Sequence, residues 1–264
     1  MKQKESTIEN VMEILVETFK PQDGYVLCLK SLPANLKAYG DFQWPEIGHV
    51  KAPDWRPIQD CGNGLHAFLW GAGDSDLACS DSDAKWLVLT VKEDGMIDLS
   101  GKVKFEECEV VYCGARETAI AIIQAHAPAG TAVMFSTLTG GYASTLTGGY
   151  ASTLTGGNRS TLTGGDASTL TGGNRSTLTG GDASTLTGGY ASTLTGGDAS
   201  TLTGGYASTL TGGLWTVLVW RFWNNKSEQY EQKCAMVDGI NFLPGMKYKL
   251  NDNYEIVQVN DTEA

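Results

Sequence analysis

The chain has 264 residues, a formal net charge of −11 and 33 glycines, about one residue in eight. Twenty of those glycines lie in residues 136–213, where Ser-Thr-Leu-Thr-Gly-Gly occurs ten times. This excludes one ordinary globular core across the chain. It also excludes collagen, which needs glycine at every third position and abundant proline, where this chain has 7. An acidic chain without a basic run lacks the electrostatic footprint for nucleic acid or an anionic membrane; such acidity serves solubility.

Residues 1–135 are long enough for a small domain with its own core. The first ten residues hold no apolar run after their lysines, so they do not read as a secretory signal. No segment reaches the length of a membrane span. The six cysteines (Cys28, Cys61, Cys79, Cys108, Cys113, Cys234) include no zinc-like Cys-x-x-Cys pair. These features predict a cytoplasmic chain with reduced thiols, no metal and no cofactor, association with a surface being the alternative left open.

Apolar residues at 8, 11, 12, 14, 15 and 19 have helical spacing and predict a helix over 8–19. Segments 24–29, 86–91, 102–105 and 109–112 read as strands, and 118–127 as a helix stopped by Pro128. The expectation is an α+β domain over 1–127. Cys61 and His66 are a conceivable nucleophile and base. Nothing in the sequence supplies an orienting acid or an oxyanion site, and a Gly-rich turn beside a buried histidine is the simpler reading. No enzyme is expected.

In each octad Ser-Thr-Leu-Thr alternates as a strand, with Ser and Leu on one face and the two Thr on the other. Gly-Gly supplies a corner that needs positive φ or close backbone approach. The two variable positions set the true period. Taking every second octad, one track reads Tyr142, Asn158, Asn174, Tyr190, Tyr206 and the other Tyr150, Asp166, Asp182, Asp198, Leu214. Asn-Arg pairs keep to one track and every Asp to the other, so the coil has 16 residues and two strands. Ten octads make about five coils of a parallel β-solenoid spanning 128–213 with its end coil. Parallel strands stack about 4.8 Å apart.

Leu138, Leu146 and their equivalents point inward beside the serines. The outward positions are all threonine: Thr137, Thr139, Thr145, Thr147, Thr153, Thr155, Thr161, Thr163, Thr169, Thr171, Thr177, Thr179, Thr185, Thr187, Thr193, Thr195, Thr201, Thr203, Thr209 and Thr211. Strand propensity explains some threonine. Twenty of twenty, with no Lys, Glu or Val among them, points to a surface that orders water or binds ice. Asp166, Asp182 and Asp198 stack on one edge, where each neighbouring pair costs about 1 kcal/mol in water. Arg159 and Arg175 stack on the other. An Arg edge meeting the Asp edge of a second copy is a route to self-assembly.

The run Gly-Tyr-Ala-Ser-Thr-Leu-Thr-Gly resembles the Gly-Tyr-Gly-Ser-Thr-x-Thr-Ala of bacterial ice nucleation proteins. The resemblance covers about 136–255 and includes Arg221-Phe222-Trp223-Asn224-Asn225-Lys226, which is similar to the family's C-terminal cap. It implies 16-residue coils, Thr-x-Thr pairs that order water, an edge ladder of Tyr142, Tyr190 and Tyr206, and an assembly role for Arg159 and Arg175. Five coils are few for that family, and the arginines lie mid-array, so weak activity is expected. The N-terminal part resembles an uncharacterised bacterial and phage domain through Cys61-Gly62-Asn63-Gly64-Leu65-His66 and Val110-Val111-Tyr112-Cys113-Gly114, which implies no activity.

Residues 214–264 read as a small β cap. Leu214, Trp215, Leu218, Trp220, Phe222 and Trp223 are expected to close the last coil, with a turn near Asn224-Asn225 and strands near 233–237, 246–250 and 254–258. Segments 130–135 and 216–219 are expected as atypical end coils that cover open strand edges. The reading is therefore a mainly β, non-enzymatic ice-binding solenoid between an α+β domain and a β cap. The alternative is a structural, self-assembling repeat whose N-terminal domain binds a partner.

Overall fold

In the computed structural model, which describes residues 17–259, the chain divides where its hydrophobic pattern changes. Contacts group it into two units, Met1–Met134 and Phe135–Ala264. Residues 8–16 of the helix expected at 8–19 lie outside the described residues.

The first unit is an antiparallel sheet. Its strands are β1 (Tyr25–Leu32), β2 (Gly48–Lys51), β3 (Leu65–Leu69), β4 (Lys85–Lys92), β5 (Ile97–Asp98), β6 (Val103–Phe105) and β7 (Glu107–Gly114), in the order β2-β7-β4-β1-β3-β6-β5. β1 and β4 lie at the centre and carry runs of consecutive buried residues instead of alternating ones. A strand buried on both faces reads this way. Helix α1 (Arg116–His126) packs against β1, β4 and β7 through Ala119, Ile120, Ile122 and Ile123, a single helical stripe. A second cluster joins Cys28, Leu87 and Leu89 to Leu36, Trp44, Val50 and Ala52 from the segment after β1. β2, β3 and β5 were not expected. β5 has only two residues, and β2 holds one β-branched residue and β3 none, so the strand signal there is weak.

The second unit is the solenoid. One sheet stacks β8 (Thr137–Thr139), β10 (Thr153–Thr155), β12 (Thr169–Thr171), β14 (Thr185–Thr187) and β16 (Thr201–Gly205). The other stacks β9 (Thr145–Thr147), β11 (Thr161–Thr163), β13 (Thr177–Thr179), β15 (Thr193–Gly196) and β17 (Thr209–Gly212). All these pairs are parallel and in register at 16 residues, as in Thr153 on Thr169 and Thr161 on Thr177. The leucines from Leu154 to Leu210 have no exposed surface, whereas Leu138 and Leu146 are half-buried.

Two leucines per coil make a thin core, and buried serines reinforce it. The hydroxyl of Ser168 donates to Gly149 O at 3.1 Å and accepts from the backbone N–H of Ser152 at 3.2 Å. Ser184 and Ser200 repeat the arrangement in the same track. Thr216 ends it with the same hydroxyl, accepting from Ser200 N at 3.3 Å and donating to Gly197 O at 2.7 Å. These buried hydroxyls thus have partners in neighbouring coils, which removes the cost of an unsatisfied polar group.

Gly-Gly does not supply the left-handed residue of the corner. The residue in that conformation is the second variable one, with φ between 52° and 62° from Ala143 to Ala207, Arg159 and Arg175 included. The glycines are required by close approach. A Cβ on Gly180 would lie 2.8 Å from Ser184 Cβ and Leu186 Cδ1, and one on Gly181 would collide with Asp166 Oδ1.

The C-terminal strands extend the two solenoid sheets. β18 (Val217–Asn224) pairs parallel with β16, and β19 (Gln229–Met236) pairs antiparallel with β18. β20 (Lys247–Leu250) pairs antiparallel with β17, and β21 (Ile256–Gln258) with β20. Opposite Gly204, where every earlier coil has glycine pointing inward, β18 carries Trp220. Its indole is fully buried and donates from Nε1 to Ser208 O at 3.0 Å. Leu218 and Phe222 are buried beside it, while Leu214, Trp215 and Trp223 remain exposed, so half of the six expected closing residues face outward. Segment 130–135 forms no strand.

Candidate functional site

The outward threonines form two faces, one on each sheet. The first carries Thr137, Thr139, Thr153, Thr155, Thr169, Thr171, Thr185, Thr187, Thr201 and Thr203. The second carries Thr145, Thr147, Thr161, Thr163, Thr177, Thr179, Thr193, Thr195, Thr209 and Thr211. All are exposed except Thr147, Thr203, Thr209 and Thr211, which are half-buried. Within a strand the two threonines stand about 6.7 Å apart, and successive strands about 4.8 Å. Each face is therefore a grid of hydroxyl and methyl groups, two columns wide and five ranks long.

The two faces end differently. On the first, β18 sets Val217 and Val219 opposite Thr201 and Thr203. On the second, β20 sets Lys247 opposite Thr211. One grid runs on into small apolar groups and the other meets an ammonium.

The edges are organised by the first variable residue. Asp166 Oδ1 accepts the backbone N–H of Asp182, Asp182 that of Asp198, and Asp198 that of Leu214, at 2.9, 2.8 and 2.7 Å. On the other edge Asn158 accepts from Asn174 and Asn174 from Tyr190. Asp and Asn carry the same acceptor, which is why both suit this corner. Arg159 and Arg175 project from that second edge in exposed positions.

The three tyrosines are not equivalent. Tyr190 and Tyr206 stack with centroids 6.5 Å apart. The column continues through Tyr254 to Phe222, at 6.0 and 4.6 Å. Tyr142 stands three coils from Tyr190 and outside that column; the Arg159 guanidinium lies 5.7 Å from its ring centroid.

Cys61 and His66 do not form a nucleophile–base pair. The Cys61 thiol accepts from Lys102 Nζ at 3.2 Å, and His66 Nε2 is buried with no hydrogen-bond partner among the described residues. Burial, then the positive charges of Lys102, Lys30 and Lys104, hold the imidazole pKa down to about 4. No sequence pattern marked these lysines, because they come from β1 and β6 and from the turn before β6.

Among the described residues no helix is long and apolar enough to cross a membrane. Residues 26–121 match a family described as "Domain of unknown function (DUF7666)". No solved structure matches. The ice nucleation protein InaU of Pantoea ananas is 32% identical over 103 residues, 38% of this chain and 10% of that protein. The ice nucleation protein of Pseudomonas syringae pv. syringae is 35% identical over 115 residues, 43% of this chain and 10% of its own length. That of Pseudomonas fluorescens is 36% identical over 100 residues, 37% and 8% respectively. The chain thus spans about a tenth of the length of the curated relatives it matches. Its sequence similarity to ice nucleation proteins goes with a solenoid of 16-residue coils, joined to a domain whose description assigns no activity.

Proposed function

We propose that the Thr-x-Thr faces order water and bind ice, and that the short array does so weakly. The observation that carries this is the strict register of the outward threonines, which repeats one hydroxyl–methyl pattern over five ranks without a charged side chain. Water held at such a grid is positioned by a rigid backbone ladder, so its ordering is prepaid in the folding of the solenoid. A nucleus grows from the area of ordered water, and five coils offer little area. The names of the similar proteins support the same reading.

Substitution of Thr153, Thr169 and Thr185 by lysine puts three ammoniums on the first face, one on each of three neighbouring strands. Freezing temperature of droplets and thermal hysteresis of the intact chain are compared with the substituted chain and with buffer. A measurable effect that is reduced on substitution, the second face remaining intact, is the expected result, and an effect that does not change counts against the proposal. Buffer behaviour before substitution sinks the proposal and leaves the solenoid a structural rod.

A further inference from the structure

The first unit holds a cleft of about 920 Å³, within the range of small-molecule sites. Its charge is the opposite of the molecule's. Lys30 and Lys102 line it, and Lys104 lies behind its wall with no exposed surface. None of the three makes an ion pair among the described residues, in a chain whose net charge is −11.

Their ammoniums are held in other ways. Lys30 Nζ donates to His66 O at 2.9 Å and sits 4.8 Å from the centroid of the Trp44 ring. Lys102 Nζ donates to Cys61 Sγ. Lys104 Nζ donates to the carbonyls of Ile58, Asp60 and Gly62. The acidic residue of the lining, Asp54, already accepts from Asn63 at 3.2 Å. Lys104 is thus satisfied by carbonyls, while the half-buried Lys30 and Lys102 have one hydrogen-bond acceptor each and no carboxylate, so an anion in the cleft would compensate them. Two ammoniums at the cleft wall with a third behind it favour a dianion over a monoanion.

Aromatic rings stand beside these lysines. Trp44 is buried under the Lys30 ammonium, half-buried Phe42 meets it edge to face with centroids 6.0 Å apart, and Tyr39 stands fully exposed at the rim. An apolar wall of flat rings beside a cationic one suits a molecule with a planar ring at one end and a phosphate at the other. We infer that this cleft binds a small phosphorylated molecule carrying a planar ring, of the nucleoside monophosphate class. The phosphate lies toward Lys30 and Lys102, and the ring lies along Phe42 and Tyr39. This site is independent of the threonine faces and assigns a binding role to a domain whose family description gives none.

Isothermal titration of the full chain with the four common nucleoside monophosphates tests it, beside inorganic phosphate, ribose 5-phosphate and adenosine. At least one nucleotide is expected to bind at least about tenfold more tightly than any of these three. Lys102→Gln is expected to weaken that binding by about tenfold with an unchanged melting curve, and Lys30→Gln to weaken it similarly. Absence of binding by every nucleotide at about 1 mM overturns the inference. So does inorganic phosphate or ribose 5-phosphate binding as tightly as the nucleotide, or unchanged affinity in Lys102→Gln.

Discussion

The carboxylate of Asp166 accepts the backbone N–H of Asp182, one coil further along, at 2.9 Å. A stack of like charges is therefore also a ladder of hydrogen bonds. The repulsion between neighbours, about 1 kcal/mol in water and less in salt, is offset by a charge-assisted bond worth about 1.5–3 kcal/mol.

Replacement of Asp182 separates the two effects. Asp182→Asn keeps the acceptor for Asp198 N and removes one charge from the stack. Its stability is expected to equal that of the parent or exceed it by a few tenths of a kcal/mol, most clearly at low salt. Asp182→Ala loses the acceptor and is expected to cost about 1–2 kcal/mol. Urea unfolding at two salt concentrations distinguishes the two. Equal stability of the Ala and Asn variants would contradict the ladder.

The corner makes a second test, because its glycine and its left-handed residue are different positions. Ala183 has φ 53°. That conformation costs an L-residue about 1–2 kcal/mol and glycine little. Ala183→Gly is expected to stabilise by about 0.5–1 kcal/mol after the entropy of the unfolded chain is counted. Gly181→Ala drives a Cβ into Asp166 Oδ1 and to 2.8 Å from Asp166 N. It is expected to destabilise by about 2 kcal/mol or more. Thermal melts of the two variants moving in the same direction would refute this account of the corner.

His66 makes the first unit sensitive to acid. Burial, and then Lys102, Lys30 and Lys104, lower its pKa to about 4 from an ordinary value of 6.5. Between those values the unfolded chain binds more protons than the folded one, so stability falls as pH is lowered from about 6.5 to about 4. Lys30 acts in another window. Burial lowers its pKa from 10.5 to about 8, so stability rises with pH between about 8 and 10.5. Unfolding of the first unit followed at about pH 6.5 and 5 is expected to show the loss. His66→Gln is expected to flatten that slope, and an equal slope in the variant would assign the effect to carboxylates instead.

Much of the solenoid is legible in the sequence. Sixteen-residue periodicity follows from the segregation of Asn158, Asn174 and their track from Asp166, Asp182 and Asp198, because stacked positions share an environment. The inward Leu and outward Thr follow from the two-residue period of a strand. The order of β1, β4 and β7 in the first sheet was not legible, since strand pairing joins residues such as Leu27 and Thr90 that no local pattern relates. The serine ladder left a trace in the sequence, Thr216 standing where the next Ser would fall, but which groups its hydroxyl meets depends on the coil below.

Sequence alone determined the period, the chemistry of the two faces and the residue types at the edges, because in a repeat the near neighbours in space recur at a constant separation along the chain. Only the tertiary structure decided that glycine is needed for room and alanine carries the left-handed turn. It alone decided that Trp220 fills the place of an inward glycine, and that Lys30, Lys102 and Lys104 converge around His66. Those facts depend on distances between segments far apart in the chain, and such distances are set by packing, which no window of sequence contains.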